Sequence, residues 1–437
     1  MKIAVHGGGY VGLAVAVVLA DVGHQVLLVE ADAARAAELA AGRSPIAEPG
    51  VEALLGRGRA SGALQVTNDA AAGGAFGSVQ IVAVGTPARA DGTTDETHVQ
   101  AVAAAIGDAG VGPLTIVLKS TAPAAVLSRA VATVRAGYAA RGLSHAVSGV
   151  MNPEFLRTGH AVEDFRSPDR VVLGGDPGAP LEEIADLYRA FVPADRVLCM
   201  SAESAALVKY AANAMLAVRV SFMNELAQLA AAHGADIEEV RAAVGADPRI
   251  GGEHLRAGLG YGGSCLPKDV AALIAEGRAA GVSLGVVAAA AAANDAQPHR
   301  IATLLEARLG SLRGRTIALW GLAFKGGTDD LREAPSAIVI ADLINAGATV
   351  QAFDPAAGAA ARLRYAQASG VQILASALDA LRGADALVIA ADWPEFRSVD
   401  LAAVRAALAR GLVVDGRNLL DPAAARAAGL DYVGIGR

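Results

Sequence analysis

Apolar residues recur along the chain in two alternating rhythms. Short continuous runs, "KIAVHG", "QVLLVEAD", "VQIVAVGTP", "LTIVLKST", "HAVSGVMNPEF" and "DRVVLGG", read as strands, and alanine-rich segments between them read as helices. Strands that alternate with helices predict a parallel sheet covered on both faces. Over residues 201–294 the strand rhythm stops, and "AESAALVKYAANAMLAVRVSFMNELAQLAAAHG" predicts one long helix with few breakers, followed by more helical sequence. That helix reads as a connector and an oligomer surface. At "RGRTIALWGLAF" the alternation resumes and continues through "ATVQAFDP", "VQILAS", "ADALVIAADW" and "GLVVDGRN". The expected division is therefore α/β over residues 1–200, helical over 201–300 and α/β over 301–437.

Length agrees with this division, because 437 residues at roughly 150 per domain give about three. The hydrophobic fraction is 54% and the mean hydropathy +0.41, but the excess is largely alanine, broken by glycines and charges. No stretch is expected to span a membrane. The first residues, "MKIAVHGGGYVGLAVAVVLA", look superficially like a signal peptide, yet the glycine cluster and the charged strand that follows favour a folded βα unit. A net charge of -7 gives no footprint for nucleic acid. Cys199 and Cys265 form neither a disulfide framework nor a metal-ligand spacing, so no metal is expected and a reducing cytoplasm is inferred.

Gly7, Gly9 and Gly12 have the GxGxxG spacing between a strand and a helix. Such glycines permit a tight turn and close backbone approach, while the helix N-terminus offers N–H groups to a pyrophosphate. A glycine turn by itself also serves simple packing. Here the second strand ends at Glu30, whose carboxylate suits the ribose hydroxyls and repels a 2'-phosphate, so NAD is expected over NADP. The first α/β segment is thus read as a Rossmann-like dinucleotide-binding domain.

"GYGGSCLPKD" raises a separate question, since it places one of two cysteines among glycines. Pro267 commonly occupies a first helical turn, which would put the Cys265 thiol near a helix N-terminus that favours thiolate. Asp269, four residues on, could act on the same reacting atom or cap the helix. Lys209 and Asn213 are also four apart and share one face of the predicted long helix. A lysine and an amide so placed can polarise an oxygen.

Taken in order, "GGGYVGL", "VGTP", "KSTAP", "NPEFLRTG", "LVKYAANAMLAVRVSFMNE", "GYGGSCLPKD", "GLAFKGGTDDLREAPS" and "DGRN" resemble the UDP-glucose/GDP-mannose dehydrogenase family, from the first strand nearly to the C-terminus. The resemblance implies oxidation of a nucleotide-sugar CH2OH to a carboxylate with two NAD. It also implies a Rossmann-like C-terminal α/β domain that binds the nucleotide sugar, a helical dimerisation domain, and a homodimer or higher homo-oligomer. "NPEFLRTG" and "GYGGSCLPKD" sit closest to the UDP-glucose branch, with GDP-mannose as the main alternative substrate; Ser264 and "PKD" point away from the N-acetylmannosamine branch. A one-step hydroxyacid dehydrogenase gives Cys265 no role, and a non-catalytic sensor of nucleotide sugar or NAD gives none to the cysteine, lysine and asparagine together.

By the same resemblance, Cys265 is the nucleophile, Lys209 and Asn213 hold the reacting oxygen, and Thr121, Glu154 and Asp269 handle protons and water, with Glu154 as base. The cofactor set is Gly7, Gly9, Tyr10, Val11, Gly12, Glu30, Arg35, Thr86, Pro87, Thr121, Thr158, Lys268 and Arg332. The substrate set is Glu154, Phe155, Leu156, Arg157, Lys209, Asn213, Gly260, Tyr261, Gly262, Phe324, Lys325 and Arg417, with Arg249 reaching a neighbouring subunit's substrate. Three positions depart from the family pattern: Glu30 stands where Asp is usual, Thr158 where Glu is usual, and His6 where an aliphatic residue is usual.

Overall fold

The computed structural model describes every residue from Met1 to Arg437 except Ala47. The chain divides into two compact units, residues 1–212 and 213–437. In the first unit lie β1 (Lys2–His6), β2 (Gln25–Val29), β3 (Leu64–Thr67), β4 (Val79–Val82), β5 (Leu114–Leu118), β6 (Val147–Met151), β7 (Val171–Gly174) and β8 (Val197–Met200). They form one eight-stranded sheet in the order β3-β2-β1-β4-β5-β6-β7-β8. The expected all-parallel sheet needs one correction. β7 runs antiparallel to β6, pairing Met151 with Gly174, and β8 is parallel to β7.

Both faces of this sheet are covered, which is why its central strands read as unbroken apolar runs. Ile3, Val5, Leu28 and Ile81 pack with Leu13, Val17 and Leu55 in one core. Val82, Ile116 and Leu118 pack with Val99, Ile106 and Val134 in another. The helix Tyr10–Asp21 is buried from Gly12 to Ala20, so its small and aliphatic residues follow from having no solvent face.

The second unit holds β9 (Thr316–Trp320), β10 (Thr349–Phe353), β11 (Val371–Ile373), β12 (Ala386–Ile389), β13 (Leu412–Asp415) and β14 (Asp431–Gly434). Their order is β11-β10-β9-β12-β13-β14, and every pairing is parallel. This is the doubly wound strand order, with its crevice where the order reverses between β9 and β12. Trp320 is fully buried and stacks on Phe396 at 5.1 Å between centroids.

The predicted long helix is present as Ala202–His233. Its Ala205 and Ala206 join a core of the first unit, and Met223, Ala227 and Ala230 a core of the second. By length and composition alone this helix could cross a membrane, as a core helix also can, and 44% of its most apolar window is buried in protein.

Candidate functional site

In the first unit the candidate residues gather on loops at the C-terminal ends of the parallel strands, beside the reversal between β1 and β4 where a doubly wound sheet binds a dinucleotide. β1 leads through Gly7 into the helix Tyr10–Asp21, which holds Tyr10, Val11 and Gly12 in its first turn. Gly7 has φ +107, and a Cβ on Gly12 would lie 1.9 Å from the Gly7 carbonyl oxygen, so the turn requires glycine at both positions. Gly9 is different. A Cβ there meets nothing within 4 Å, and no side chain caps this helix N-terminus. An open cradle before an uncapped helix start fits a pyrophosphate.

Glu30, just beyond β2, is 8% exposed. Its Oε2 accepts from Gly8 N at 2.9 Å and its Oε1 from Asp32 N at 3.0 Å. Arg35 lies 3.9 Å from Oε2 and donates to the Gly8 carbonyl at 3.3 Å. A carboxylate offers about four lone-pair sites, so both oxygens keep capacity for ribose hydroxyls. Thr86, with Pro87 after it, donates from Oγ1 to the Thr121 carbonyl at 2.8 Å, tying the loops after β4 and β5 together.

β6 delivers Glu154, Phe155, Leu156, Arg157 and Thr158. Glu154 is buried, its Oε1 is 3.1 Å from Lys209 Nζ, and its Oε2 accepts from Leu156 N at 2.6 Å. Burial opposes its ionisation, but the Lys209 charge, the Leu156 hydrogen bond and the Lys119 charge together hold its carboxyl below the usual value. Lys209 is likewise buried. The Phe155 ring has the Arg170 guanidinium 3.7 Å from its centroid and Lys209 Nζ at 5.5 Å. Arg157 turns outward into an ion pair with Asp164 at 2.6 Å.

In the second unit Cys265 is the N-cap of the helix Leu266–Ala279, with Pro267 in the first turn, as the sequence predicted. Its thiol is exposed, and Ser264 Oγ lies 3.7 Å from Sγ. Asp269 donates its backbone N–H to the Cys265 carbonyl at 3.0 Å, and its side chain is 1% exposed. Asn213 Nδ2 donates to Asp269 Oδ2 at 2.5 Å, and Lys268 Nζ donates to Oδ1 at 2.6 Å. The structure therefore joins Asn213, Lys268 and Asp269 at the first turn of the helix that Cys265 caps.

Next to this turn lies a cavity of about 550 Å³ whose lining includes Arg241, His254, Arg256, Tyr261, Lys325 and Arg417. Arg417 binds the loops of the wall together. It donates to the carbonyls of Ala390 at 2.8 Å, Phe324 at 3.0 Å and Gly260 at 3.2 Å. Burial lowers its pKa, opposed by Asp392 and Asp415. A Cβ on Gly262 would lie 2.0 Å from the Glu333 carbonyl oxygen, so only glycine lets the two segments approach. Cations outnumber acids on this wall, which suits a diphosphate. Arg249 and Arg332 are not among the lining residues; each forks onto a nearby carboxylate, Asp247 at 2.6 Å and Asp330 at 2.7 Å.

Sequence reasoning missed Arg241 and His254 at the cavity, Lys119 with its partner Asn152 on the segment that carries Glu154, and Arg170 over the Phe155 ring. His254 has φ +59, a strained position with no motif to announce it. Among the described residues no group of three or more His, Cys, Asp or Glu could hold a metal ion.

Models of the UDP-glucose/GDP-mannose dehydrogenase family match three successive stretches: the NAD binding domain over residues 1–192, the central domain over 203–296 and the UDP binding domain over 318–422. The chain is 44% identical to a UDP-glucose 6-dehydrogenase of Pseudomonas aeruginosa, covering 100% of this chain and 98% of that one. It is 37% identical to a UDP-glucose 6-dehydrogenase of Rhizobium meliloti, covering 100% of both. The solved UDP-glucose dehydrogenase of Pyrobaculum islandicum superposes with a TM-score of 0.90 at 38% identity, over 99% of this chain and 97% of that one. With a dinucleotide cradle in one unit and a cation-lined cavity beside a cysteine turn in the other, the chain belongs to the UDP-glucose/GDP-mannose dehydrogenase family and is an NAD-dependent oxidoreductase of nucleotide sugars.

Proposed function

We propose that the protein oxidises the C6 alcohol of UDP-glucose to the carboxylate of UDP-glucuronate in two steps through Cys265. The observation that carries this reading is the exposed Cys265 thiol at the N-cap of the helix Leu266–Ala279, whose first turn holds the buried Asp269 bonded to Asn213 and Lys268. A helix N-terminus favours thiolate, and an alcohol dehydrogenation that stops at an aldehyde has no use for one.

The Gly7–Gly12 turn and Glu30 would hold NAD, which would supply the hydride acceptor for each of the two oxidations at C6. Glu154 takes the hydroxyl proton, while Lys209 and Asn213 stabilise the negative charge that develops on the oxygen. Cys265 Sγ then forms a C–S bond to the aldehyde carbon and the carbonyl oxygen takes up a proton, giving a thiohemiacetal. Loss of a second hydride and the hydroxyl proton leaves a thioester. Water, oriented by Asp269 and Thr121, adds to the carbonyl; the C–S bond breaks, the thiol is restored and the carboxylate leaves.

UDP-glucose is chosen because the relatives and the solved structure named above are UDP-glucose dehydrogenases. The diphosphate is assigned to Arg256, Lys325 and Arg417, and Thr158, Lys268 and Arg332 to the cofactor side. A second copy of the chain is part of the reading. Met215, Phe222 and Leu229, each more than half exposed, recur every seven residues on one face of the long helix, and the side chain of Arg249 is 87% exposed. The test is NADH production across UDP- and GDP-sugars. A higher kcat/KM for GDP-mannose than for UDP-glucose ends the substrate assignment and leaves the two-step chemistry standing.

A further inference from the structure

Behind the Glu154–Lys209 pair lies a third charge that the scheme above does not use. Lys119, the first residue beyond β5, is 3% exposed. Its Nζ donates to Asn152 Oδ1 at 3.2 Å, to the Asn152 carbonyl at 3.5 Å and to Tyr188 OH at 3.4 Å. Tyr188 OH in turn donates to Asn152 Oδ1. The rings of Phe165 and Tyr188 close around the ammonium at 5.4 and 5.8 Å. Among the described residues, Lys119 has no ion-pair partner; every hydrogen-bond acceptor it meets is neutral. A buried ammonium without a counter-ion is costly.

Two features connect this lysine to the site. It grips Asn152 by both backbone carbonyl and side chain, and Asn152 is two residues from Glu154 on the same segment after β6. Its charge also acts on Glu154, favouring the carboxylate, and is opposed by that of Lys209. The geometry points to Lys119 as a positioning residue that clamps the Asn152–Glu154 segment and places a second buried positive charge behind Glu154, added to that of Lys209.

The charged and titratable groups acting on it are Glu154, Lys209 and Tyr188. Burial pushes the ammonium down to about 8, with Glu154 pulling the other way and Lys209 adding to the fall. Below that pH the cluster carries two cations and one carboxylate. Above it one cation is lost, and negative charge developing on an oxygen beside Lys209 is less stabilised. This inference rests on the reading of Glu154 as the base.

The test is the pH profile of kcat/KM for NADH formation from UDP-glucose, from mildly acid to strongly alkaline, in wild type, Lys119→Arg and Lys119→Met, with melting curves as the folding control. Lys119→Arg keeps the charge without titrating, so it should retain the acid limb and lose the fall near pH 8. Lys119→Met should move the acid limb to higher pH, because Glu154 binds its proton more tightly. Lowered rates with an unshifted profile in both variants would mean a purely structural lysine and overturn the proposal. Should Lys119→Met fail to fold, Lys119→Arg decides alone: an alkaline fall identical to wild type is fatal. Glu154→Gln separates the two readings. If it keeps the acid limb and wild-type kcat/KM, the base assignment fails, while the alkaline comparison still judges Lys119.

Discussion

Substitution of Gly9 and Gly12 by alanine should separate cofactor binding from folding, because the two glycines meet different surroundings. At Gly12 the new Cβ would sit 1.9 Å from the Gly7 carbonyl oxygen. Gly7 cannot retreat easily: its N–H is bonded to Val29 O at 2.8 Å and its own Cα faces the Ala83 carbonyl. The helix Tyr10–Asp21 must therefore move, and nine consecutive buried residues move with it. Overpacking of this kind costs about 1–3 kcal/mol, and in a unit of this size each kcal/mol lowers Tm by about 2–4 °C. At Gly9 nothing lies within 4 Å, and an alanine N-cap costs about 1 kcal/mol. Its methyl would instead occupy the space given to the pyrophosphate. Thermal melts with and without NAD report both effects, since ligand at 100 times Kd adds about 2.7 kcal/mol to wild type. The expected pattern is a small Tm loss with no NAD response for Gly9→Ala, and a large Tm loss for Gly12→Ala. A full NAD-induced Tm rise in Gly9→Ala, or an unchanged melt in Gly12→Ala, would refute this reasoning.

Three further outcomes are expected. Glu30 should make the enzyme strongly prefer NAD, because its buried carboxylate would accept from the ribose hydroxyls and repel an added phosphate; equal kcat/KM for NAD and NADP would contradict that. His6 is buried with its Nε2 2.8 Å from Gln80 Oε1, and burial lowers its pKa despite that bond. A histidine with a lowered folded pKa contributes stability that is complete above its ordinary value of 6.5 and is lost as pH falls below it; in His6→Val the Tm should depend less on pH in that window, and an unchanged slope would show that His6 does not titrate there. Arg249→Ala should lower activity without changing the NAD-induced Tm rise if it serves a partner chain, and full activity of a monomer confirmed by light scattering would remove that role.

The strands that could be read from sequence are those buried on both faces, where the apolar run has no competitor, as in "QVLLV" and "LTIVL". β3 ("LQVT"), β8 ("VLCM") and β14 ("DYVG") have only four residues each. In β8 both central residues are exposed, so no periodicity marks it as a strand. The antiparallel step at β7 rests on a single residue pair, and strand direction leaves no trace in local hydropathy. The site divides in the same way. The glycine turn, Glu30 and the N-cap position of Cys265 are local patterns and were legible. Lys119 was not, because its partners Asn152 and Tyr188 are 33 and 69 residues away in sequence, and a lysine before "STAP" looks like any solvated strand end. Arg241, on the helix Ile237–Gly245, and His254 share the cavity wall with Lys325 and Arg417 only because the fold brings distant segments together.

On the proposed chemistry, Cys265 turns a one-step alcohol oxidation into a two-step synthesis of an acid. Counting NADH released per UDP-glucose consumed tests it most directly, in wild type and in Cys265→Ala. Wild type should release two NADH per sugar, and the variant should form no acid product, because its aldehyde has no route to a thioester. Two NADH per sugar released at the wild-type rate by Cys265→Ala would contradict it.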